Sequence, residues 1–186
     1  MLGITRLAPE YLDVTESVLR QKAAEVSKES SLWKKLPEIA THMFEVMYAH
    51  DGAALAAPQV GLAIRVVVAD PSNLDFGPEV LINPQFVQLA DESVVDEEGC
   101  LSVSLRRGRV SRAKNIHVTY TRLNGSVCEL DVEGWLARVL QHEIDHLDGI
   151  LYPDRMAPDV ELEVTPTSSV RRSEAAIRKI MRKLNK

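Results

Sequence analysis

The feature that constrains this chain most is the stretch Gln141–Leu147, whose letters QHEIDHL contain the pattern H-E-x-x-H. Residues 135–140 before it contain no helix breaker, so the pattern predicts a helix. In a helix, residues four apart lie on one face, so His142 and His146 would point the same way and grip one metal ion. Glu143 is rotated by about 100° and borders that face. Two imidazoles and an adjacent carboxylate are the groups that metal-assisted hydrolysis needs.

The pattern also fits an ordinary amphipathic helix that carries two histidines, with Asp145 in contact with solvent. A third metal ligand elsewhere would separate the two interpretations. Cys100 follows a glycine, and by itself it is expected to be a small core residue. Beside two histidines, it becomes the best candidate for the third ligand, because a thiolate and two imidazoles with one open position form a catalytic set. Cys128 alternates with apolar residues in a strand and is predicted to be core.

Length and composition favour one soluble domain. The chain has 186 residues, 45% of them hydrophobic and 26% charged, which are ordinary globular values. No run approaches the ~20 apolar residues of a membrane span, and the N-terminus has neither a signal core nor the character of a transit peptide. Two cysteines do not form the disulfide framework of a secreted protein. We therefore expect a cytoplasmic protein without a membrane partner.

The net charge of −5 hides a basic end. Residues 171–186 carry seven basic side chains and one acidic side chain, while the rest of the chain is strongly acidic. A basic amphipathic helix is predicted there, after a segment at 158–170 that resembles a tether or an edge segment. An anionic partner would therefore meet the tail rather than the body. A solvated C-terminal helix is the plain alternative.

Periodicity predicts most of the remaining elements. An apolar stripe at residues 36–48 follows helical spacing, with Pro37 in the first turn where it is tolerated. Asn124-Gly125 is the strongest hairpin signal and predicts two antiparallel strands around it. The predicted strands are 65–69, 80–84, 86–89, 115–121 and 126–132, and 91–98 is predicted to be an acidic turn.

Two further stretches carry polar groups with open roles. Residues 52–61, GAALAAPQVG, form either a tight turn or a stiff segment that another chain can approach closely. Gln59 within it is either a satisfied structural amide or a donor aimed at a ligand. The arginines after Cys100 either pair with the acidic stretch before it or hold a substrate or a carboxylate such as Glu98. They are Arg106, Arg107, Arg109 and Arg112.

Three stretches in order now resemble the peptide deformylase family: GAALAAPQVG at 52–61, EGCLS at 98–102 and QHEIDHLDG at 141–149. The resemblance covers a catalytic domain at 1–157 and leaves 158–186 as a tether and basic C-terminal helix. It implies an α+β fold in which antiparallel sheets pack around a central metal-binding helix, with an N-terminal and a C-terminal helix.

The family's reaction removes the N-formyl group from the initiator formyl-methionine of newly made polypeptides and releases formate. The resemblance implies one divalent metal per chain on Cys100, His142 and His146. Fe²⁺ is expected in the cell, and Zn²⁺, Ni²⁺ or Co²⁺ in purified protein. Glu143 would act as general base and then acid. The Gln59 side chain and the Leu101 backbone N–H would stabilise the oxyanion.

The resemblance also implies a site for the formyl-methionyl peptide. Backbone groups of residues 52–54 and of Gly99 would hold the peptide as an added strand, and Val139 would line the methionine pocket with Leu101 and His142. The implied substrate-binding residues are Gly52, Ala53, Ala54, Gly99, Leu101, Arg107 and Val139. Contact with the ribosome would fall to the tail at 171–186, and no DNA partner is expected.

The sequence departs from the family's usual pattern at two positions, and a third stretch is similar to one branch of the family. Ala54 stands where the family usually has a second glycine, so its methyl group is expected to crowd the substrate backbone or to disfavour a positive φ. Ser104 replaces the usual bacterial proline after EGCLS and is expected to change the rim. The stretch at 134–138 is more similar to the organelle-type branch, and Arg138 is expected to alter the edge of the pocket.

Two other functions fit parts of the sequence. A zincin-type endopeptidase would use the same H-E-x-x-H with a downstream third ligand from Glu161, Glu163 or Glu174. A deformylase-like scaffold disabled by Ala54 would bind peptides or the ribosome without catalysis. The complete set of ligands, base and oxyanion donors favours the deformylase over the scaffold, and the role of Cys100 separates it from the endopeptidase.

Overall fold

The computed structural model of the chain describes residues 17–71, 76–156 and 163–164, with the side chains of 104–106 and 163–164 left out. These residues form an α+β fold, which confirms the predicted class. The helices are α1 (Leu36–Ala49) and α2 (Gly134–Leu147). The strands are β1 (Ala54–Ala56), β2 (Val66–Ala69), β3 (Glu79–Gln88), β4 (Ser93–Cys100), β5 (Val103–Ala113), β6 (Asn115–Thr121), β7 (Val127–Glu133) and β8 (Glu163–Val164). Short 3₁₀ helices lie at Val18–Arg20, Trp33–Lys35, Ala57–Val60 and Tyr152–Arg155.

The strands form two antiparallel sheets. Five strands pair in the order β1-β2-β3-β6-β7, and three pair in the order β4-β5-β8. In the second sheet, β8 pairs with β5 and lies within the predicted tether or edge segment. The predicted C-terminal helix at 171–186 lies outside the described residues. None of the helices in the described part of the chain has the length and apolarity needed to cross a membrane.

Strand β2 is buried on both faces of the five-stranded sheet. Successive side chains of a strand point to opposite faces. Val66 and Val68 therefore pack with α1, whereas Val67 and Ala69 pack on the side of α2. Full burial of a valine contributes roughly 1.5–3 kcal/mol. The run of apolar residues in β2 thus holds one helix on each face of the sheet.

Helix α2 lies at the centre of the molecule, with eleven of its fourteen residues buried. The side-chain amide of Gln141 donates to the Ala113 carbonyl and accepts from its N–H, which ties the helix to the end of β5. At the other end, Arg65 donates to the Leu147 carbonyl and to Asp148. A cation there satisfies a free helix carbonyl and suits the negative end of the helix dipole.

Helix α1 and the hairpin around Asn124-Gly125 confirm their predictions. The apolar stripe is buried, and Pro37 lies in the first turn. β6 and β7 pair in register from Asn115–Glu133 to Thr121–Val127, around the Asn124-Gly125 turn. Gly125 has a φ of +84°, which an L side chain would adopt only under strain. Local sequence therefore suffices for both elements.

The two strands predicted at 80–84 and 86–89 are one strand in the structure. β3 continues through them with a register shift between Ile82 and Gln85. Asn83 lies at this irregularity with a φ of +51°, and its amide exchanges two hydrogen bonds with the Val26 backbone. These two hydrogen bonds stabilise a bulge in β3. In the sequence, the residues of this bulge are typical of a break between two strands.

The prediction of an acidic turn at 91–98 was wrong. Residues from Ser93 onward form β4, which pairs along β5 from Ala113 to Arg107. The acidic side chains lack apolar alternation because β4 is a largely exposed strand at the end of its sheet. Basic residues on β5 form ion pairs with the acidic side chains of β4, as Arg107 does with Glu97. The sequence of β4 alone does not indicate these partners.

Candidate metal centre

Helix α2 and the end of β4 bring three potential metal ligands together. His142 and His146 lie one turn apart, with ring centroids 5.0 Å from each other. β4 ends at Cys100, whose Sγ lies 3.2 Å from His146 Nε2. The ligand atoms of all three residues lie within 4.8 Å of one another. The predicted ligand set is therefore one cluster in space, although Cys100 and His142 are 42 positions apart in the chain.

The sulfur of Cys100 is in a setting that favours the thiolate. Burial by itself raises the pKa of the thiol, but the adjacent His146 and His142 lower that pKa well below its ordinary value. The Ser102 N–H lies 3.4 Å from the sulfur and donates to it. Because the thiolate is the form that binds metals, this environment suits a ligand rather than an inert core cysteine.

Gln59 is both a structural amide and a donor aimed at the site. It lies in the 3₁₀ helix Ala57–Val60 and is buried. Its Oε1 accepts from the Ala56 N–H at 2.8 Å, which fixes the orientation of the amide. Its Nε2 therefore points to the Cys100 sulfur, 3.6 Å away. The structure shows the structural amide that the sequence offered as one alternative, and the other end of the side chain is directed at Cys100.

Glu143 is buried beside the histidines, and its Oε2 has no hydrogen-bond partner within the described residues. Burial raises the pKa of this carboxyl above its ordinary value, against the opposing effect of the neighbouring histidines. A carboxylate with a raised pKa and an open lone pair is suited to accept a proton.

Glu98 supports the first histidine. Its Oε2 lies 2.8 Å from His142 Nδ1, an arrangement that leaves Nε2 free for a metal. Arg112 donates to both oxygens of Glu98, at 2.9 and 3.0 Å. Burial alone raises the pKa of Glu98, but the hydrogen bonds from His142 and Arg112 hold it at about 2. Arg112 is therefore the one of the described arginines considered from sequence that holds Glu98.

One interpretation of the sequence placed Asp145 in contact with solvent, and the structure shows that this was wrong. Asp145 is buried and forms ion pairs with Arg112 and Arg155. Arg138 is also buried and bonds to Glu98 and to backbone carbonyls. Sequence reasoning did not assign these partners. The signal was a set of charged residues on a helix that otherwise carries core residues.

The predicted substrate residues differ in the contacts that they make. A side chain at Gly52 would come 3.3 Å from Leu101 Cδ1, so the two segments are in close contact. Val139 is partly buried against the core beneath α2. Arg107 pairs across the strands with Gly99, but its exposed guanidinium binds Glu97. The side chains of Ser104 and Arg106 lie outside the described part of the chain, as do Glu161 and Glu174.

Ala54 occupies its position without a left-handed backbone. Among the described non-glycine residues, only Asp51 and Asn83 have a positive φ. The Ala54 methyl group packs in the core between the five-stranded sheet and α2. The expectation that alanine would disfavour a positive φ is therefore wrong, because this position does not require one.

The donor set fits a divalent metal ion. One thiolate and two imidazoles suit zinc, iron, cobalt and nickel, and three protein ligands leave a position open for water or substrate. Such a centre also requires an oriented histidine and a thiolate. Glu98 orients His142, and the lowered pKa of Cys100 favours its thiolate.

Comparison with known proteins gives consistent results. A family model described as polypeptide deformylase matches residues 10–161. Peptide deformylase 2 of Gloeobacter violaceus is 44% identical over 149 residues, which are 79% of this chain and 78% of that protein. The crystal structure of peptide deformylase from Thermotoga maritima matches with a TM-score of 0.71 and 40% identity, covering 85% of this chain and 99% of that one. A peptide deformylase from Synechococcus elongatus in complex with actinonin matches with a TM-score of 0.73 and 36% identity, covering 85% and 82%.

Proposed function

The chain belongs to the polypeptide deformylase family, and we infer that it is a hydrolase that removes the N-formyl group from newly made polypeptides and releases formate. The observation that carries this inference is the cluster of Cys100, His142 and His146 with Glu143 buried beside it. The function is metal-dependent in the family, and the cluster supplies the residues for one ion.

We propose that these three ligands hold a single divalent ion. When bound, the ion supplies an acidified water and a positive charge near the formyl oxygen. Fe²⁺ is the ion we expect in the cell, on the resemblance to the family. Zn²⁺, Ni²⁺ or Co²⁺ would also bind this donor set in purified protein, because affinity in such sites follows the divalent series and metal availability.

Glu143 is the proton carrier in this proposal. Its carboxylate accepts the proton of the attacking water as oxygen bonds to the formyl carbon. It then delivers that proton to the methionyl nitrogen as the C–N bond breaks, so that formate and a free amine leave. The raised pKa of Glu143 supports both steps, since general acid–base catalysis is most efficient when the pKa lies near the working pH.

Gln59 and Leu101 are the proposed oxyanion donors. The Gln59 amide is held by the Ala56 N–H, so its Nε2 needs no reorganisation during the reaction. Leu101 follows Cys100 in the turn between β4 and β5, and we propose that its backbone N–H is the second donor. A donor of this kind contributes roughly 10²–10³-fold to the rate.

The substrate is proposed to bind as an added strand beside β1. The Ala53 carbonyl accepts from Asp70 N–H, and neighbouring residues of an antiparallel strand alternate in direction. The N–H and C=O of Ala54 therefore face away from β2, and β1 is at the end of its sheet. The methionine side chain would lie against Val139, Leu101 and His142, and Arg107 would lie near the peptide at Gly99.

The experiment is formate release from formyl-Met-Ala-Ser by protein prepared anaerobically with its metal quantified. We expect rapid release with about one metal ion per chain, as one three-ligand site requires. Acetyl-Met-Ala-Ser is the matched control and should remain intact. Metal at full occupancy without formate release would contradict the proposal and would favour the disabled scaffold.

We also propose a cytoplasmic location and contact between the tail at 171–186 and ribosomal RNA. The support is the run of basic residues and the origin of the substrate on the ribosome. Deletion of 171–186 should leave activity on the short peptide intact and weaken ribosome binding most at low salt, because released counterions drive such binding. Ribosome binding that is unchanged by the deletion would reject the contact.

A further inference from the structure

Arg138 joins helix α2 to the sheet that carries Cys100. Its side chain is only 9% exposed, and it donates to three acceptors at once. Nη1 lies 2.7 Å from Glu98 Oε1 and 2.9 Å from the Val110 carbonyl, and Nη2 lies 2.6 Å from the Val94 carbonyl. Val94 and Glu98 belong to β4, and Val110 belongs to β5. One guanidinium therefore binds two strands of this sheet, β4 and β5, to the helix.

The bond to Glu98 completes the acceptor capacity of that carboxylate. Glu98 Oε1 receives Arg138 Nη1 and Arg112 Nε, while Oε2 lies within hydrogen-bond distance of Arg112 Nη2 and His142 Nδ1. A carboxylate has about four lone-pair sites, and here four partners approach them. The orientation of the carboxylate, and with it that of the His142 ring, is therefore set by partners on two elements, β5 and α2.

The ligands come from two separate elements, and Arg138 lies between them. Cys100 is two residues after Glu98 on β4, and His142 is one helical turn after Arg138 on α2. Residues four apart in a helix are stacked on the same face. Arg138 thus fixes the turn of α2 that precedes the first histidine against the segment of β4 that precedes the cysteine.

We propose that Arg138 is a positioning residue that holds the Cys100 strand and the histidine helix at metal-binding separation and so slows release of the metal. The proposal rests on the metal-dependent function proposed above. It adds a role to a residue that was expected, from sequence, only to alter the edge of the substrate pocket.

The planar fork of arginine is what the site requires. Three acceptors in three directions match the fixed donors of a guanidinium, whereas lysine carries one compact ammonium group. Methionine would fill much of the volume but donate to none of them. The Val94 and Val110 carbonyls would lose this donor, and Glu98 would retain only the partners from Arg112 and His142.

The test compares Arg138→Met and Arg138→Lys with the wild type, each loaded with Co²⁺ under anaerobic conditions. Arg122→Met is the matched control, because Arg122 also pairs with a glutamate but does so on the exposed part of the other sheet. The readouts are the rate of Co²⁺ transfer to excess chelator and the absorption bands of thiolate-ligated Co²⁺. Mutation of the residues that support metal-binding histidines typically lowers metal affinity by about 10–100-fold.

We expect Arg138→Met to release Co²⁺ at least tenfold faster, with shifted thiolate bands, and Arg138→Lys to be intermediate. Arg122→Met should stay within twofold of the wild type. Release within twofold of the wild type in both Arg138 variants would overturn the proposal, even if their thermal midpoints fall. If Arg138→Met does not fold, Arg138→Lys decides by the same criterion. Metal content and formate release of the wild type test the proposed function separately.

Discussion

At the scale of single residues, the proposed role of Glu143 in proton transfer gives the most specific prediction. Its buried carboxylate is next to two candidate metal ligands but is not one of the three clustered donors. Glu143→Gln should therefore keep the metal and lose at least about 100-fold in kcat, since general acid–base catalysis contributes 10²–10⁴-fold. The measurement is formate release with metal content. An active Glu143→Gln protein would refute the role assigned to this residue.

The pH dependence of the wild type follows from the same residue. Burial is the main cause that raises the pKa of Glu143, so its proton is lost at a higher pH than from an ordinary glutamate. The base works only when ionised, and activity should therefore rise with pH through this raised pKa. The acid limb of the kcat/KM profile should lie above pH ~4.3, the ordinary glutamate value. A limb at or below that value would contradict the assignment.

At the scale of elements, the bulge in β3 anchors the segment before α1. Asn83 has a φ of +51° and exchanges hydrogen bonds of 2.9 and 3.0 Å with Val26. Asn83→Ala removes both bonds and leaves a side chain that disfavours this φ. We expect a loss of about 2–3 kcal/mol in the free energy of unfolding, measured by urea denaturation.

Two further variants separate the contributions at this bulge. Asn83→Gly relieves the backbone but still loses the bonds, so its loss should be smaller than that of alanine. Gln85→Ala, at an exposed position on the other side of the register shift, should change stability by less than about 0.5 kcal/mol. Equal losses for Asn83→Ala and Gln85→Ala would show that the Asn83 bonds do not anchor the segment.

At the scale of the whole molecule, a bound metal would connect the two sheets through α2. Cys100 belongs to the three-stranded sheet, and the histidines belong to the helix that packs on the five-stranded sheet. Chelation should therefore lower the thermal midpoint. With free metal at about 1,000 times Kd, the stabilisation lost is about 4 kcal/mol. Calorimetry with and without chelator measures it.

Cys100→Ser provides the matched variant for this experiment. It should resemble the chelated wild type and respond little to added metal, because the softest ligand of the cluster is gone. Under the endopeptidase alternative, the third ligand comes from Glu161, Glu163 or Glu174, and metal would still stabilise the variant. A full metal response in Cys100→Ser would therefore support that alternative.

The sequence by itself was enough for features that depend on neighbours in the chain. Helical spacing placed His142 and His146 on one face, and Asn124-Gly125 located the β6–β7 turn. These features follow from backbone periodicity and turn preferences, which act within a few residues. The two histidines on one face were sufficient to select Cys100 as a candidate ligand, whereas the fold class was predicted from the resemblance of three motifs to a known family.

Only the tertiary structure decided which distant groups meet. The acidic run at 91–98 resembles a turn in the sequence and becomes β4 because β5 lies beside it. Asp145 and Arg138 resemble surface charges and are buried because each finds partners on another element. The physical reason is that a buried charge is tolerated only when paired, and the pairing depends on sheet register and helix packing rather than on local sequence.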